Sequence, residues 1–289
     1  VSVWLPSAPC TPRGCATHHG PAAGYLTAAA RLLAGIVTVL AGLLLGPLVA
    51  LLAVVLGTRF RHLMTRCWAR AVVRAFGVRI RVIGRPYAPR ASLVVANHIS
   101  WLDIPLIAAS LPGRMLAKSE IRRWPVLGPL AARGGTLFLE RDRLRTLPAT
   151  VREMASALDG GARVIAFPEG STWCGREQGR FRHAVFQAAL DAGAAVQPVR
   201  IRYLPTGAAA FVGDDSLGAS LWRVVAAGGL TAEIRLLPAI PAGSCPDRRS
   251  LARAAQLAVA SDSANLPSVS VHQWVSSSSA AASSVRTPS

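Results

Sequence analysis

The longest apolar run in this chain extends from Leu32 to Gly57, 26 residues with no charge and one polar side chain, Thr38. About 20 apolar residues suffice to cross a bilayer as a helix, and a core helix of a water-soluble domain would carry polar positions on one face. Residues Arg31 to Gly57 therefore read as a membrane element. Gly46-Pro47 sits in its middle, where proline removes a backbone donor and restricts the residue before it. The pattern allows one kinked span, or two short helices forming a hairpin that dips into one leaflet. A secretory leader fits poorly, because the region before the run is long and the run exceeds the usual length. Residues 58–76 then read as a basic helix with Leu63, Trp68, Ala71, Val72 and Phe76 on one side, suited to an interface.

From Val78 onward the pattern changes. Arg79–Ile83 alternates as a half-buried strand, while Leu93–Ala96 and Val164–Phe167 are short apolar runs that read as buried strands. Met115–Ala117, Thr136–Leu139, Val196–Arg202 and Ala232–Leu237 read as further strands. Helices are expected from Asp103 through Ala109, over Leu147–Leu158, over Phe181–Ala192 with Gly193 as the stop, and over Leu251–Ala260. Strands alternating with helices predict an α/β fold, a central mixed sheet flanked by helices and preceded by an N-terminal membrane-embedded helix or helical hairpin. The chain divides into an N-terminal tail of little order (1–24), a membrane anchor with its basic interfacial helix (25–77), a catalytic domain (78–260) and a disordered Ser/Ala-rich tail (261–289) whose composition buries nothing.

Charge narrows the partners. The net charge is +18, and Lys118 is the one basic residue that is not arginine. Such an excess implies an anionic partner: nucleic acid, lipid headgroups or a phosphorylated substrate. The apolar run selects the membrane. Arg59, Arg61, Arg66, Arg70 and Arg74 follow it, against Arg13 and Arg31 before it, so the positive-inside bias places the C-terminal side at the cytoplasmic face of the cell membrane. Those arginines suit an anionic membrane surface, at about 1 kcal/mol each. A non-enzymatic nucleic-acid binder is the alternative from another class. Against it, the arginines are spread along the chain and no helix-turn-helix or zinc pattern is present, so nucleic acid is not expected as a partner. Cys10, Cys15, Cys67, Cys174 and Cys245 form no CxxC pair and no metal spacing. They read as free thiols, with Cys174 a small space-filler, and no metal is expected.

The candidate chemistry begins at Asn97-His98-Ile-Ser-Trp-Leu-Asp103. Asp103 is the first acidic residue of the chain, five positions after a histidine that leaves a buried strand, where α/β folds place their sites. A His–Asp dyad at that exit can take a proton from a hydroxyl, the carboxylate fixing the imidazole tautomer. No Gly-x-Ser-x-Gly elbow is present, which argues against a serine hydrolase.

Three further blocks follow in order: Lys118-Ser-Glu120 with Gly135-x-x-Phe138-x-x-Arg141, Phe167-Pro-Glu169-Gly170-Ser171-Thr172, and Val196-Gln-Pro198-Val199. Together with Asn97-His98-x4-Asp103 they resemble the glycerophospholipid acyltransferases, the lysophosphatidic acid (1-acylglycerol-3-phosphate) acyltransferase family. The resemblance implies transfer of a fatty acyl group from acyl-CoA or acyl carrier protein to the 2-hydroxyl of the lysophospholipid 1-acylglycerol-3-phosphate. The product would be phosphatidic acid, with no cofactor beyond the thioester co-substrate. It implies His98 and Asp103 as catalytic, Arg141 as a phosphate-binding residue with Lys118 as a second cation, and a functional Glu169 that either binds glycerol hydroxyls or orders its loop. Asn97, Gly170, Ser171 and Thr172 complete the expected substrate-binding set. The family loop commonly reads Glu-Gly-Thr-Arg, and Thr172 stands in place of that arginine. Either Arg176, Arg180 and Arg182 compensate, or the acceptor is less anionic, such as a lyso-ornithine lipid.

Overall fold

The computed structural model of the chain describes residues 8–86, 88, 91–125, 127–140 and 143–261. Seven strands make one sheet: β1 (Arg79–Ile83), β2 (Ser92–Ala96), β3 (Arg114–Lys118), β4 (Leu137–Leu139), β5 (Arg163–Ala166), β6 (Ala195–Leu204) and β7 (Thr231–Leu236). Their order is β1-β7-β6-β2-β5-β3-β4. β6 and β7 pair antiparallel and all other neighbours pair parallel, giving the mixed sheet expected from the pattern. Because β2, β3, β4, β5 and β6 run the same way, their C-terminal ends share one edge.

Every residue of β2 is buried, as an apolar run covered on both faces requires. Successive side chains point to opposite faces and so divide the core in two. Val94, Ala96, Ile165, Val199 and Ile201 face one apolar cluster, and Leu93, Val95, Val164, Ala166 and Val196 face the other. Among the described residues there are eight α-helices: α1 (Pro12–Cys15), α2 (Tyr25–Ala75), α3 (Asp103–Ser110), α4 (Leu127–Arg133), α5 (Leu147–Asp159), α6 (Ala184–Asp191), α7 (Leu217–Ala226) and α8 (Arg248–Ser261). The base of α2 with α3 and α7 covers the first cluster; α5, α6 and α8 cover the second. Helix α6 starts later than the periodicity suggested, because the Phe181 and Arg182 N–H groups are drawn out to Gln256 Oε1 (3.0 Å) and the Pro168 carbonyl (2.8 Å). Helices α4 and α7 were not anticipated.

Helix α2 is broken at Gly57 (φ 80°, ψ −178°), while Pro47 stays inside its first arm. The two arms fold back on each other as a hairpin. Trp68 Nε1 donates to the Thr38 carbonyl at 2.9 Å, and Gly42 and Gly35 leave room for the rings of Trp68 and Phe76, which a Cβ would approach to 2.1 and 2.4 Å. The break expected at Gly46-Pro47 is not found: the apolar run stays in one arm through Pro47, and the hairpin turns at Gly57, ten residues beyond the proline, pairing that run with the basic segment after it. Loss of one hydrogen bond at Pro47 is tolerated within a Leu-rich helix, whereas glycine alone adopts a positive φ without steric cost. The first arm, about 48 Å long at 1.5 Å per residue, leaves Leu44, Val54 and Val55 77%, 81% and 84% exposed. The second arm differs from the interfacial helix expected. Its apolar side, Ala69, Val72, Val73 and Phe76, is buried in the core, and Leu63 is exposed, because that side packs on α3 and the first arm. Arg59, Arg61, Arg70 and Arg74 remain exposed.

The expected N-terminal tail is also corrected. Residues 8–24 form an ordered strap across the loops at the C-terminal edge of the sheet. Cys10 and Ala16 are buried, Ala23 N–H donates to the Ala226 carbonyl and Gly228 N–H to the Pro21 carbonyl, both at 2.7 Å. Arg176 reaches back to the carbonyls of Gly14 (3.1 Å) and Thr17 (3.2 Å). This order comes from backbone bonds to distant residues and so leaves no periodicity in the strap itself. Residues 1–7, and the expected tail beyond Ser261, lie outside the described residues. Gly35→Val should destabilise the protein by about 1–3 kcal/mol through overpacking against Phe76, measured as a lowered urea midpoint in detergent. An unchanged midpoint would show that the arms are not closely packed there.

Candidate active site

The exit of β2 is shaped by two side chains that replace backbone partners. The Asn97 amide donates to the Ile201 carbonyl (3.0 Å) and accepts from Ile201 N–H (2.8 Å), continuing the ladder to β6 after the chain has begun to turn. Asp103, at the start of α3, is fully buried. Its Oδ2 lies 2.8 Å from His98 Nδ1 and accepts from Ile99 N–H (2.6 Å) and Ser100 N–H (2.9 Å). Its Oδ1 accepts from the Tyr203 hydroxyl at 2.7 Å. Four donors thus converge on the carboxylate, three at Oδ2 and one at Oδ1. With Nδ1 acting as donor to Asp103, His98 Nε2 carries the free lone pair. The ring stacks on Phe167 at 4.1 Å between centroids and 16° between planes, and its side chain is 19% exposed.

The exit of β5 supplies the second half. Glu169, 3% exposed, accepts from His98 N–H at Oε2 (2.7 Å) and from Gly179 N–H at Oε1 (3.0 Å). Burial pushes its carboxyl up to about 8; the two amide donors oppose that rise and the Asp103 charge adds to it. Each oxygen holds one backbone N–H, which ties this loop to the β2 exit. Gly170 turns the loop with φ 76°. Thr172 Oγ1 donates to the Phe211 carbonyl, and Trp173 N–H donates to the His98 carbonyl at 2.7 Å. The Ser171 hydroxyl is buried without a partner among the described residues.

His98, Asp103, Asn97, Glu169, Gly170, Ser171 and Thr172 therefore converge on one end of β2 and β5. Lys118 ends β3 on the same sheet edge and is exposed. Arg141 lies outside the described residues. Two contributors were missed. Phe167 was read as the last residue of a strand, and Tyr203 lies one position past the expected end of the sixth strand. The inward alternation Val199, Ile201, Tyr203 was the available signal. The cysteines are not scattered as expected: Cys10, Cys15 and Cys174 come together beside this loop, their Sγ atoms all within 4.8 Å of one another.

The Acyltransferase family model matches residues 79–202, which span the constellation except for Tyr203, one position beyond. A lyso-ornithine lipid O-acyltransferase from Pseudomonas aeruginosa is 40% identical over 207 residues, 70% of this chain and 79% of the relative. A 1-acyl-sn-glycerol-3-phosphate acyltransferase from Neisseria meningitidis is 38% identical over 188 residues, 63% and 73% of the two chains. The crystal structure of the 1-acyl-sn-glycerophosphate acyltransferase PlsC from Thermotoga maritima shares the fold, with a TM-score of 0.64 and 17% identity over 84% of this chain and 98% of that one. Sequence, site and fold agree: the chain belongs to the acyltransferase family of which 1-acyl-sn-glycerol-3-phosphate and lyso-ornithine lipid acyltransferases are members.

Proposed function

We propose that this acyltransferase moves a fatty acyl group from a thioester donor, acyl-CoA or acyl carrier protein, to the free 2-hydroxyl of 1-acylglycerol-3-phosphate at a membrane surface. The observation that carries this is the His98–Asp103 pair at 2.8 Å with Nε2 unencumbered. The hydroxyl proton passes to His98 Nε2 as its oxygen bonds to the thioester carbonyl carbon. The carbon–sulfur bond then breaks, and the departing thiolate takes the proton from the imidazolium. Asp103 stabilises that imidazolium and holds the ring tautomer, and Tyr203 orients Asp103. The thioester is already activated, so no covalent acyl-enzyme is needed.

The exposed first arm of α2 is the membrane contact in this reading. An 18-residue apolar window with none of its residues buried is unfavourable in water and favourable in hydrocarbon. The exposed arginines of the second arm face anionic headgroups, with the catalytic edge on the cytoplasmic side. A second reading of the acceptor, a lyso-ornithine lipid, is favoured by two observations. Thr172, at the position of the family arginine, is spent on Phe211, and Arg176 is spent on the strap. A phosphate would then depend on Lys118, Arg141, Arg180 and Arg182.

His98→Ala should lower turnover by about 10²–10⁴-fold in an assay with labelled acyl-CoA and lyso-lipid in mixed micelles. Tyr203→Phe should retain more activity but cost about 1–3 kcal/mol of stability, because one Asp103 oxygen loses its donor inside the core. Near-normal turnover in His98→Ala removes the dyad from the mechanism. With both acceptors in the same assay, Arg141→Lys should raise the KM for 1-acylglycerol-3-phosphate far more than that for the acyl donor, because lysine cannot copy a bidentate phosphate contact. Efficient use of lyso-ornithine lipid alone decides for the second reading. Glu169 adds a pH dependence. Its folded value near 8 lies above the ordinary 4.5, so the folded chain keeps a proton that the unfolded chain releases between those values. Wild-type stability should fall relative to Glu169→Gln as pH rises from 4.5 to 8 and level off above it. Parallel pH curves for the two proteins would contradict the burial argument.

A further inference from the structure

The Cys10, Cys15 and Cys174 cluster has no part in the chemistry above. Two of its members come from the strap and one from the loop that carries Glu169, and they are three of the five cysteines in the chain. Cys10 and Cys174 are buried and Cys15 is half-buried, so the cluster has two inner sulfurs and one at the mouth. We propose that these three thiols form a binding site for one Zn²⁺ ion, clamping the N-terminal strap to the catalytic loop and leaving a fourth coordination position open at the Cys15 side.

The spacing fits. Zn–S bonds of about 2.3 Å at tetrahedral angles separate sulfurs by about 3.8 Å, and the three Sγ atoms already lie within 4.8 Å of one another. A closure of about 1 Å or less completes the geometry. The backbones are held independently of the sulfurs: Arg176 bonds the Gly14 and Thr17 carbonyls, Gly213 fits beneath the Cys10 carbonyl, and Gly207 fits beneath those of Cys15 and Thr17. The donor chemistry fits as well: three cysteine sulfurs suit Zn²⁺, which would bind them as thiolates while their protons pass to solvent. The resulting site carries one net negative charge, and Arg176 lies on the same strap–loop junction to balance it. A disulfide would join two of the sulfurs and leave the third without a role.

The test uses the full chain in detergent, reduced, stripped with chelator and kept under inert gas. Titration with Zn²⁺ against a chromophoric chelator should give one ion per chain and raise the unfolding midpoint with metal concentration, as a ligand bound to the folded state alone must. Zn²⁺ should protect Cys10, Cys15 and Cys174 from maleimide and leave Cys67 and Cys245 reactive. Cys15→Ser, at the half-exposed position, and Cys174→Ser should weaken binding by more than the roughly 10–100-fold that loss of an outer partner costs; Cys67→Ser should bind as wild type. If Cys174→Ser does not fold, Cys15→Ser carries the test. The proposal is overturned if no stoichiometric binding occurs, if Cys15→Ser binds like wild type, or if the trio alkylates equally with and without Zn²⁺.

Discussion

A carboxylate without solvent access is tolerable only where donors surround it, and Asp103 is the point at which this chain meets that demand. Its four donors come from the β2 exit, the turn that follows and the far end of β6. Satisfying one charge therefore holds three segments together. The imidazole is oriented as a by-product of the same requirement, and Glu169, bonded to the N–H of His98, repeats the logic from β5. Both acids thus tie the exits of β2 and β5 to one turn.

Legibility in the sequence followed the range of the interactions. Strands β2 and β5 could be read because burial on both faces writes a continuous apolar run, and the dyad because its partners are five residues apart. The break in α2 was read at Gly46-Pro47 because proline is the stronger local signal, but a helix tolerates one lost bond more easily than it makes a reverse turn. Tyr203 escaped because its partner is 100 residues away. The strap was invisible because what orders it belongs to Arg176, Gly207 and Gly213 rather than to its own residues. Distance along the chain, more than subtlety of chemistry, separated what could be read from what could not.

The boundary drawn between anchor and catalytic domain does not survive in three dimensions. Ala28 and Phe76 are part of the same cluster as Val94 and Tyr203, so the base of the hairpin helps to cover the face of the sheet on which the dyad sits. The hairpin thereby contributes to the stability of the sheet that carries the site. A deletion that removes the apolar arm as far as Gly57 also uncovers the core.

Arg31 makes this joint stiff. From the base of the first arm its guanidinium reaches the carbonyls of Val225 (3.0 Å) and Ala227 (3.1 Å) at the end of α7, where the cation meets the negative end of that helix. The arm behaves as a keel bolted to the hull rather than a tether. Whatever surrounds the exposed arm, the height and tilt of the catalytic edge relative to it are set by covalent and packed geometry, with no linker left to average over.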